Sequence, residues 1–530
     1  MKGTTTATRT KAVRLHRLEK EFLRAFNVCK TPCMRAALKE LAGETFDVVI
    51  VGAGIHGACA AWSASRMGLK TALIDAGDFG GAASANSLKV IHGGLRYLQH
   101  GNLKRMRESI RARRRFLVLA PKLVKPQPFA IPTYGSGVRG RAALRVALAL
   151  NDLISADRNA GLDDGHRLPA GRLLSRSEAA QLWPGLPADA YDGAAVWCDA
   201  LAHNTERLTL AFVLGARARG AVALNYVRAT KVLEGGGAVS GVEARDELDG
   251  AAFPIRARVV LNAAGPWWQH WAPMGVRPGP LVGAWNMVVR ANWFGPYGVG
   301  LESTQEHRDA EALVQRGKRN LFFVPWRGGT MIGTVYEPFA GDPAEYRPSS
   351  SSVESFIREI NAVLPSAKLT MEQVTLLHVG VQPGSPGGVS PEPDKHSEIV
   401  AGPLRGMFSI KGVKYTTGLT VGEQAACAIA RELGRPGVPP GDEPLPGAVP
   451  EPENLGELVR RAVQDECAVR LADVLQRRSG LGTFEPPSRA LREEVSVKMS
   501  ALLDWSEVRR AAELRHVEEA YRALRVPPVP

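Results

Sequence analysis

Short apolar runs and helical spacing of apolar positions alternate along this chain, and each pattern predicts a different kind of element. Phe46 to Val51 is a short apolar run that predicts a buried strand, and a second such run ends at Asp75. An Ala-rich stretch between the two runs predicts a helix. Glycine-bounded strands continue to about residue 345, whereas Leu455 to Arg478 and Ser488 to Leu524 show helical periodicity. The pattern therefore predicts an α/β protein that ends in a small helical domain.

Between the first predicted strand and helix, three glycines stand in the G-x-G-x-x-G spacing, at Gly52, Gly54 and Gly57. Gly52 allows a tight turn, Gly54 lets the backbone approach a pyrophosphate, and Gly57 lets the helix pack closely on the strand. The phosphates then lie against N–H groups of the helix N-terminus. Asp75 follows at the end of the second strand, where a carboxylate accepts hydrogen bonds from ribose hydroxyls. Together these features predict dinucleotide binding.

Length and composition indicate an enzyme of more than one domain. The chain has 530 residues, of which 45% are hydrophobic, as is normal for a soluble globular protein. No apolar run reaches the ~18 residues of a membrane span, so we expect any membrane contact to be peripheral. The N-terminus lacks the apolar run and cleavage site of a secretion signal. Six scattered cysteines indicate reduced thiols, and Cys29 with Cys33 lacks a second ligand pair, so we predict no metal site.

The net charge of +14 is concentrated in two stretches. Residues 1–45 carry ten Lys/Arg against four Asp/Glu, and residues 96–125 carry ten against one. An anionic partner or a solvated helix face would each explain such stretches. In the second stretch, helical spacing favours the solvated face, with one buried stripe. That stripe consists of Leu103, Met106, Ile110 and Leu117.

The N-terminal stretch contains a similar stripe, at Leu15, Leu18, Phe22 and Phe26. It would either lie on a membrane surface or pack on the protein. The basic stretches lack a nucleic-acid-binding motif and interleaved aromatic residues, so we expect no nucleic-acid partner. We expect the protein in the cytoplasm, with salt-sensitive peripheral contact at the inner face of a membrane.

Four separated segments resemble FAD-dependent glycerol-3-phosphate dehydrogenases and oxidases, members of the D-amino-acid-oxidase-like flavoprotein superfamily. The resemblance runs from about residue 45 to residue 525. It implies FAD as the cofactor. It also implies a glutathione-reductase-like FAD-binding domain of the Rossmann type, an antiparallel-sheet substrate domain and a small C-terminal helical domain. The four segments are SANSLKVIHGGLRYL at Ser84–Leu98, VLNAAGPWW at Val260–Trp268, SIKGVKYTTGLTVGEQA at Ser409–Ala425, and ECAVRLADVLQRRSGLGT at Glu466–Thr483.

Composition and resemblance together divide the chain. We expect a basic extension over 1–44, an oxidoreductase region over 45–432, a Pro/Gly-rich linker over 433–453 and a helical domain over 454–530. Within the oxidoreductase region, the FAD-binding parts are expected at about 45–125, 190–275 and 385–432, and the substrate-domain parts at about 126–189 and 276–384.

The resemblance also identifies candidate site residues. Lys414 would place a positive charge near the flavin or on a substrate phosphate, unless it is merely an exposed strand-end lysine, and arginine grips such anions bidentately. The expected catalytic residues are Lys414, Arg96 and His92, and the expected substrate contacts are Arg96, Tyr97, Asn286, Gln382 and Lys414. The expected cofactor contacts are Gly52, Gly54, Ile55, His56, Gly57, Asp75, Ser84, Ser87, Lys89, His92, Gly94, Leu95, Ala264, Gly265, Gly412, Lys414, Tyr415 and Thr416.

The chain departs from the family pattern in its substrate half. Asn286 stands where the family shows a histidine, its candidate base, and Gln382 replaces an arginine expected to hold the substrate phosphate. Asp394 or Lys395 occupies the position of a further family arginine. Asn and Gln stay neutral near pH 7, so proton removal and charge balance are both weakened. Each lost charged contact costs about 1.5 to 3 kcal/mol where nothing compensates.

Proton removal must then fall to another group, for which Lys414, His92 and a bound water are the candidates. Lys414 is the first choice, because burial beside cationic Arg96 lowers the pKa of a lysine. The implied reaction is hydride transfer from a hydroxyl-bearing carbon to flavin N5, with reoxidation by quinone or oxygen. Glycerol 3-phosphate, a small anion, is the best single substrate. A different hydroxy compound, an amine, or a flavin-binding protein without catalysis are the alternatives.

Overall fold

The computed structural model describes residues 32–183, 185–186, 191–271, 279–306, 318–385, 392–438 and 441–526. The predicted N-terminal apolar stripe and Cys29 lie outside the described residues, as does the side chain of Cys33. Their interpretation stays a prediction. The other four cysteines are thiols, buried in the protein.

The helices alternate with strands through most of the described chain and follow one another at its C-terminal end. The α-helices are α1 (Pro32–Gly43), α2 (Ile55–Arg66), α3 (Ala82–Ala85), α4 (Leu103–Leu119), α5 (Arg141–Ile154), α6 (Arg176–Leu182), α7 (Thr205–Ala218), α8 (Ser350–Val363), α9 (Gly418–Glu432), α10 (Leu455–Gln464), α11 (Leu471–Asp473), α12 (Arg489–Leu503) and α13 (Glu507–Leu524).

The strands are β1 (Thr45–Val51), β2 (Thr71–Ile74), β3 (Val90–Ile91), β4 (Val124–Thr133), β5 (Arg172–Ser175), β6 (Gly193–Ala202), β7 (Val222–Leu224), β8 (Val227–Gly235), β9 (Ala238–Asp246), β10 (Ala252–Asn262), β11 (Leu281–Val289), β12 (Gly298–Glu306), β13 (Lys318–Trp326), β14 (Gly329–Phe339), β15 (Val374–Ser385), β16 (Glu392–Pro393), β17 (Glu398–Ala401) and β18 (Met407–Lys411).

The first sheet has a parallel centre built on β1. Its order is β17-β18-β10-β1-β2-β7, and β8 and β9 extend it as an antiparallel pair beside β10. Val48, Val49 and Ile50 of β1 are fully buried. Strands covered on both faces read as continuous apolar runs, which explains the run at Phe46 to Val51. This sheet confirms the predicted Rossmann-type half of the fold.

The second sheet is largely antiparallel, in the order β16-β15-β11-β14-β13-β12-β4-β6-β3, with β5 beside β6. Helix α8 covers one face, where the rings of Trp285 and Phe356 meet edge to face at 5.3 Å. The sequence-based boundaries differ from the structure at β6. They place this strand in an FAD-binding part, but it pairs with β4 from Thr133↔Gly193 to Val124↔Ala202 and therefore belongs to the second sheet.

The C-terminal helices have an apolar core of their own and are joined to the first sheet by buried charges. Arg478 donates two hydrogen bonds to Asp78, at 2.6 and 2.8 Å, and Arg207 pairs with Glu466 at 2.7 Å. The predicted periodic run from Leu455 to Arg478 is interrupted after α10. A new turn starts there because the Asp473 carboxylate accepts the backbone N–H groups of Val469 and Arg470.

The Pro/Gly-rich segment before these helices packs on the protein. Leu445 is buried and its N–H donates to the carbonyl of Leu119 at 2.9 Å, while Arg66 donates to the carbonyl of Gly441 at 2.7 Å. Among the described residues, no helix combines the length and apolar character needed to cross a bilayer.

Candidate active site

A cavity of about 1550 Å³ lies between the two sheets. The first sheet contributes the turn after β1 and the segment that leads into α9. The second sheet contributes polar positions of β11, β14 and β15. The cavity therefore lies beyond the carboxyl ends of the parallel strands, where α/β proteins bind their ligands.

The glycine turn after β1 is built as its spacing predicts. Gly52 has φ of +102°, and a Cβ there would lie 2.5 Å from the carbonyl oxygen of Ala263. A Cβ on Gly57 would lie 1.8 Å from the carbonyl oxygen of Gly52. Both positions thus exclude a side chain, because β1, β10 and α2 approach one another too closely.

Asp75 lines the cavity but also braces the glycine turn. One carboxylate oxygen accepts the N–H of Ala53 at 2.7 Å and the other accepts the N–H of Gly77 at 2.8 Å. Burial raises the pKa of Asp75, although these hydrogen bonds oppose the shift. Each oxygen has a second lone pair, so the carboxylate can hold the turn and a ribose hydroxyl together.

The residues at the N-terminus of α2 suit a dinucleotide. The first hydrogen bond back along the helix runs from the N–H of Ala58 to Gly54, so the earlier N–H groups lack an acceptor within the helix. The N–H of Ile55 donates to Ser84 Oγ at 3.0 Å. Burial lowers the pKa of His56 to about 4, and its Nε2 has no hydrogen-bond partner among the described residues. A bound polar group would satisfy these donors.

Most of the predicted cofactor contacts line this cavity, and two do not. Gly57 packs behind the turn. Lys89 departs from the prediction because it is almost wholly buried, and its ammonium donates to Glu206 at 3.0 Å and to Thr205 at 2.9 Å. The predicted contacts that line the cavity are Gly52, Gly54, Ile55, His56, Asp75, Ser84, Ser87, His92, Gly94, Leu95, Ala264, Gly265, Gly412, Lys414, Tyr415 and Thr416.

In the substrate half, two cations flank Tyr97. The Lys414 ammonium donates a hydrogen bond to the Tyr97 hydroxyl and lies 4.7 Å from the centre of its ring. The Arg105 guanidinium lies 5.0 Å from the same ring centre and donates to the carbonyl of Lys395. Arg96 lines the cavity nearby. These groups form a cationic cluster, defined by Arg96, Tyr97, Arg105 and Lys414.

Burial and mutual repulsion shift the pKa values within the cationic cluster. Burial lowers the pKa of Lys414, the contact with Tyr97 opposes this, and the charges of Arg105 and Arg96 lower it further. Burial alone would raise the pKa of Tyr97, but Lys414 and Arg105 outweigh it and lower that pKa. The sequence predicts a lowered pKa for Lys414, and the structure gives a shift in that direction.

The departures from the family pattern at Asn286 and Gln382 face the cavity, and Asp394 and Lys395 line it as well. Asn286 Nδ2 donates to the carbonyl of Asn86 at 3.0 Å, and its Oδ1 accepts from Thr334 Oγ1 at 2.8 Å. Gln382 hydrogen-bonds to Tyr336, whose pKa is raised by burial. Asn286 is therefore held by its neighbours as a neutral group, with both ends of its amide occupied.

His92 projects into the cavity from the glycine loop after β3. Its N–H donates to Thr416 Oγ1 at 3.3 Å, which ties this loop to the segment before α9. Its side chain is 55% exposed, and Nδ1 lies 3.9 Å from Oδ2 of buried Asp199. The structure thus brings His92, Arg96, Tyr97, Asn286, Gln382 and Lys414 to one cavity.

Two cavity residues escape prediction from the sequence. Asp199 lies inside a buried strand, and only its pairing across the sheet places it at the cavity. Arg105 belongs to the basic stretch interpreted above as a solvated face. That interpretation is wrong for several of its arginines, because Arg113 pairs with Asp199 at 2.6 Å and Arg115 with Glu423. Of the predicted stripe, Met106, Ile110 and Leu117 are buried, whereas Leu103 is exposed.

Residues 47–435 match the model of the DAO family, FAD dependent oxidoreductase. The chain belongs to this family. A glycerol-3-phosphate dehydrogenase of Synechocystis is 31% identical over 433 residues, which are 78% of this chain and 76% of that protein. A glycerol-3-phosphate dehydrogenase of Mycobacterium leprae is 31% identical over 395 residues, 73% of this chain but only 63% of that protein.

Solved structures show the same fold. A glycerol-3-phosphate dehydrogenase of Bacillus halodurans in complex with FAD has a TM-score of 0.69 at 21% identity, over 93% of this chain and 98% of that chain. An L-α-glycerophosphate oxidase of Mycoplasma pneumoniae with FAD bound has a TM-score of 0.53 at 16% identity, over 73% of this chain and 95% of that chain. With the family match over residues 47–435, these structures identify FAD as the cofactor of this oxidoreductase.

The oxidoreductase should lose its cofactor when a side chain is added at Gly54. A Cβ there would lie 3.0 Å from Ser84 Oγ, and the rest of a valine would extend over the helix N-terminus. We expect Gly54→Val to purify colourless, whereas wild type is yellow and releases FAD on denaturation. Gly43→Val is the control, since a Cβ at Gly43 meets nothing within 4 Å. Stoichiometric FAD in Gly54→Val would contradict this assignment.

The affinity of the cavity for an anionic ligand should fall as pH rises, and the fall should depend on Lys414. Its ammonium is charged below its pKa, and because that pKa is lowered the charge is lost at a lower pH than in an ordinary lysine. We expect the Kd of an anionic ligand, measured by perturbation of the flavin spectrum, to rise across the alkaline range. Lys414→Arg should flatten this rise, and Lys414→Met should weaken binding below the pKa of Lys414 and lack the rise. An unchanged profile in both variants would refute the role.

Proposed function

We propose that the protein oxidises glycerol 3-phosphate, or a closely related anionic secondary alcohol, and passes the electrons to a quinone or to oxygen. The observation that carries the proposal is the cationic cluster, which faces the FAD-binding turn across one cavity. The two curated relatives described above are glycerol-3-phosphate dehydrogenases, which supports the same substrate.

In this mechanism the chain's residues bind, orient and deprotonate the substrate. Bound FAD supplies the hydride acceptor. Arg96 and Lys414 neutralise the substrate's anionic group, and burial beside Tyr97 strengthens that attraction by excluding water. The hydroxyl proton passes to a base, for which Lys414, His92 and a bound water are the candidates. Asn286 has no basic group to offer and serves as a polar wall of the cavity.

An anaerobic reduction experiment tests this proposal. We expect glycerol 3-phosphate to bleach the main visible flavin band, whereas uncharged glycerol at the same concentration leaves it nearly unchanged, because only the phosphate engages the cationic cluster. Gln382→Arg should lower the KM for glycerol 3-phosphate by about tenfold, the effect of one recovered charged contact. Reduction by an uncharged alcohol or an amine instead, with no gain in Gln382→Arg, would disprove the substrate.

We also infer peripheral contact with an anionic membrane surface through helix α5. The buried side of α5 carries Leu144 and Leu148, yet its outer side exposes Val146, Leu150 and Leu153, the last by 72%. A helix that is apolar on both sides is normally covered. Arg145 is exposed and places a cation beside this outer side. Arg107 of α4 donates to the carbonyl of Ile154, and its charge is paired with Asp157. Apolar side chains with bordering cations suit anionic lipid.

Vesicle sedimentation tests this contact. We expect the purified protein to bind vesicles that contain anionic lipid, and salt to weaken binding by screening the cations. Leu153→Asp should reduce binding several-fold, because it places a carboxylate at the apolar surface. Val508→Asp is the matched control, since Val508 of α13 is 68% exposed but stands alone. Equal loss in both variants, or binding indifferent to salt, would contradict the assignment.

A further inference from the structure

Asp199 and His92 form a pair at the cavity, and the proposed function gives Asp199 no role. His92 Nδ1 and Asp199 Oδ2 are 3.9 Å apart. His92 is half exposed to the cavity, whereas Asp199 is 5% exposed and lies within β6. Separations of this kind shorten into hydrogen bonds when substrate closes a site.

The carboxylate of Asp199 is fixed in one orientation. Its Oδ1 accepts from Arg113 Nη1 and from the N–H of Gly93, both at 2.6 Å. Its Oδ2 accepts from Trp197 Nε1 at 3.2 Å and faces His92. Burial alone would raise the pKa of Asp199, but His92, Arg113 and Gly93 lower it to about 2, so the group is ionised throughout the working range.

An ionised carboxylate only accepts hydrogen bonds, and this decides the state of the ring beside it. A nitrogen that donates to Asp199 must carry a proton, so a neutral His92 paired with this carboxylate is protonated on Nδ1 and has its lone pair on Nε2. Nδ1 is turned toward Asp199, which leaves Nε2 as the proton acceptor available to a substrate. The loop that carries His92 is held by Gly93 against Asp199 and by the N–H of His92 against Thr416.

Lys414, one of the two other candidates for the base, is already engaged, and so is Asn286 at the position of the family's histidine. Asn286 uses its amide on Asn86 and Thr334, and Lys414 donates to Tyr97. We propose that Asp199 is a positioning residue that fixes His92 in the tautomer able to accept the substrate's hydroxyl proton. The proposal rests on the proposed function for the identity of the substrate, but the Asp199–His92 relation itself does not.

Kinetic coupling tests the proposal. Asp199→Asn should slow anaerobic flavin reduction by glycerol 3-phosphate on the order of 10²-fold, the range of general-base effects. Because Asp199 acts through His92, the double variant Asp199→Asn/His92→Ala should be no slower than His92→Ala alone. Losses that multiply in the double variant would show a merely structural role and overturn the proposal.

The chain contains a matched control for this substitution. Asp163 pairs with His166 Nδ1 at 2.6 Å, is largely exposed and does not line the cavity. Asp163→Asn breaks the same kind of pair elsewhere, so we expect its rate of flavin reduction to equal that of wild type. An equal loss in Asp163→Asn and Asp199→Asn would remove the specificity that the proposal requires. FAD content and the flavin spectrum of each variant show whether the cofactor site is preserved.

A second measurement needs no turnover, and its deciding arm uses the wild-type holoenzyme alone. Two-bond ¹⁵N NMR of histidine-labelled holoenzyme reports the tautomer directly, with His92 assigned by the signal missing in His92→Gln. We expect neutral His92 to carry its proton on Nδ1 in wild type and on Nε2 in Asp199→Asn. A wild-type proton on Nε2 would overturn the proposal. If glycerol 3-phosphate fails to reduce wild type while the tautomer is as expected, the proposed substrate fails and the positioning role stands.

Discussion

The contact between the Gly52 turn and Ala263 sets the distance on which the cofactor half of the cavity depends. The N–H of Ala263 donates to Val51 at 2.8 Å, and the carbonyl of Ala263 occupies the place that a side chain on residue 52 would need. Two parallel strands far apart in the sequence therefore end side by side. Because of this approach, the N-terminus of α2 and the turn at Ala264 and Gly265 border the same space.

The sequence predicted this half of the molecule well because its signals are local. The apolar run of β1, the glycine spacing and the carboxylate at Asp75 all lie within residues 46–75, one strand-helix-strand unit. Backbone geometry at Gly52 admits few residues, so the pattern is specific. The same locality allowed the C-terminal helices to be predicted from periodicity alone. Even there, the break after α10 depends on the side chain of Asp473, which periodicity does not register.

The remaining features depend on partners that only tertiary structure supplies. The sequence motif predicts Lys89 as a cofactor contact, whereas in the structure its side chain is buried against Glu206. A motif gives the residue type but not the direction in which the side chain points. Basic residues of α4 read as a solvated face, yet Arg113 meets Asp199 across β6. The boundaries expected from the sequence group β6 with the FAD-binding parts although it pairs with β4 in the second sheet, since apolar strands of either sheet look alike. Long-range pairing therefore limited both the domain boundaries and the site.

The substrate half of the cavity shows how the neutral residues Asn286 and Gln382 can line a cavity that also contains several cations. Arg105 and Lys414 both contact the ring of Tyr97, and burial and the charge of Arg105 lower the pKa of Lys414. Such an arrangement costs free energy by itself, and an anion between the cations recovers part of that cost. Under the proposed function, substrate charge therefore binds at the cationic cluster, near Tyr97. With charge balance supplied there, Asn286 and Gln382 on the second sheet need only shape the cavity, which allows neutral residues where the family pattern has charged ones.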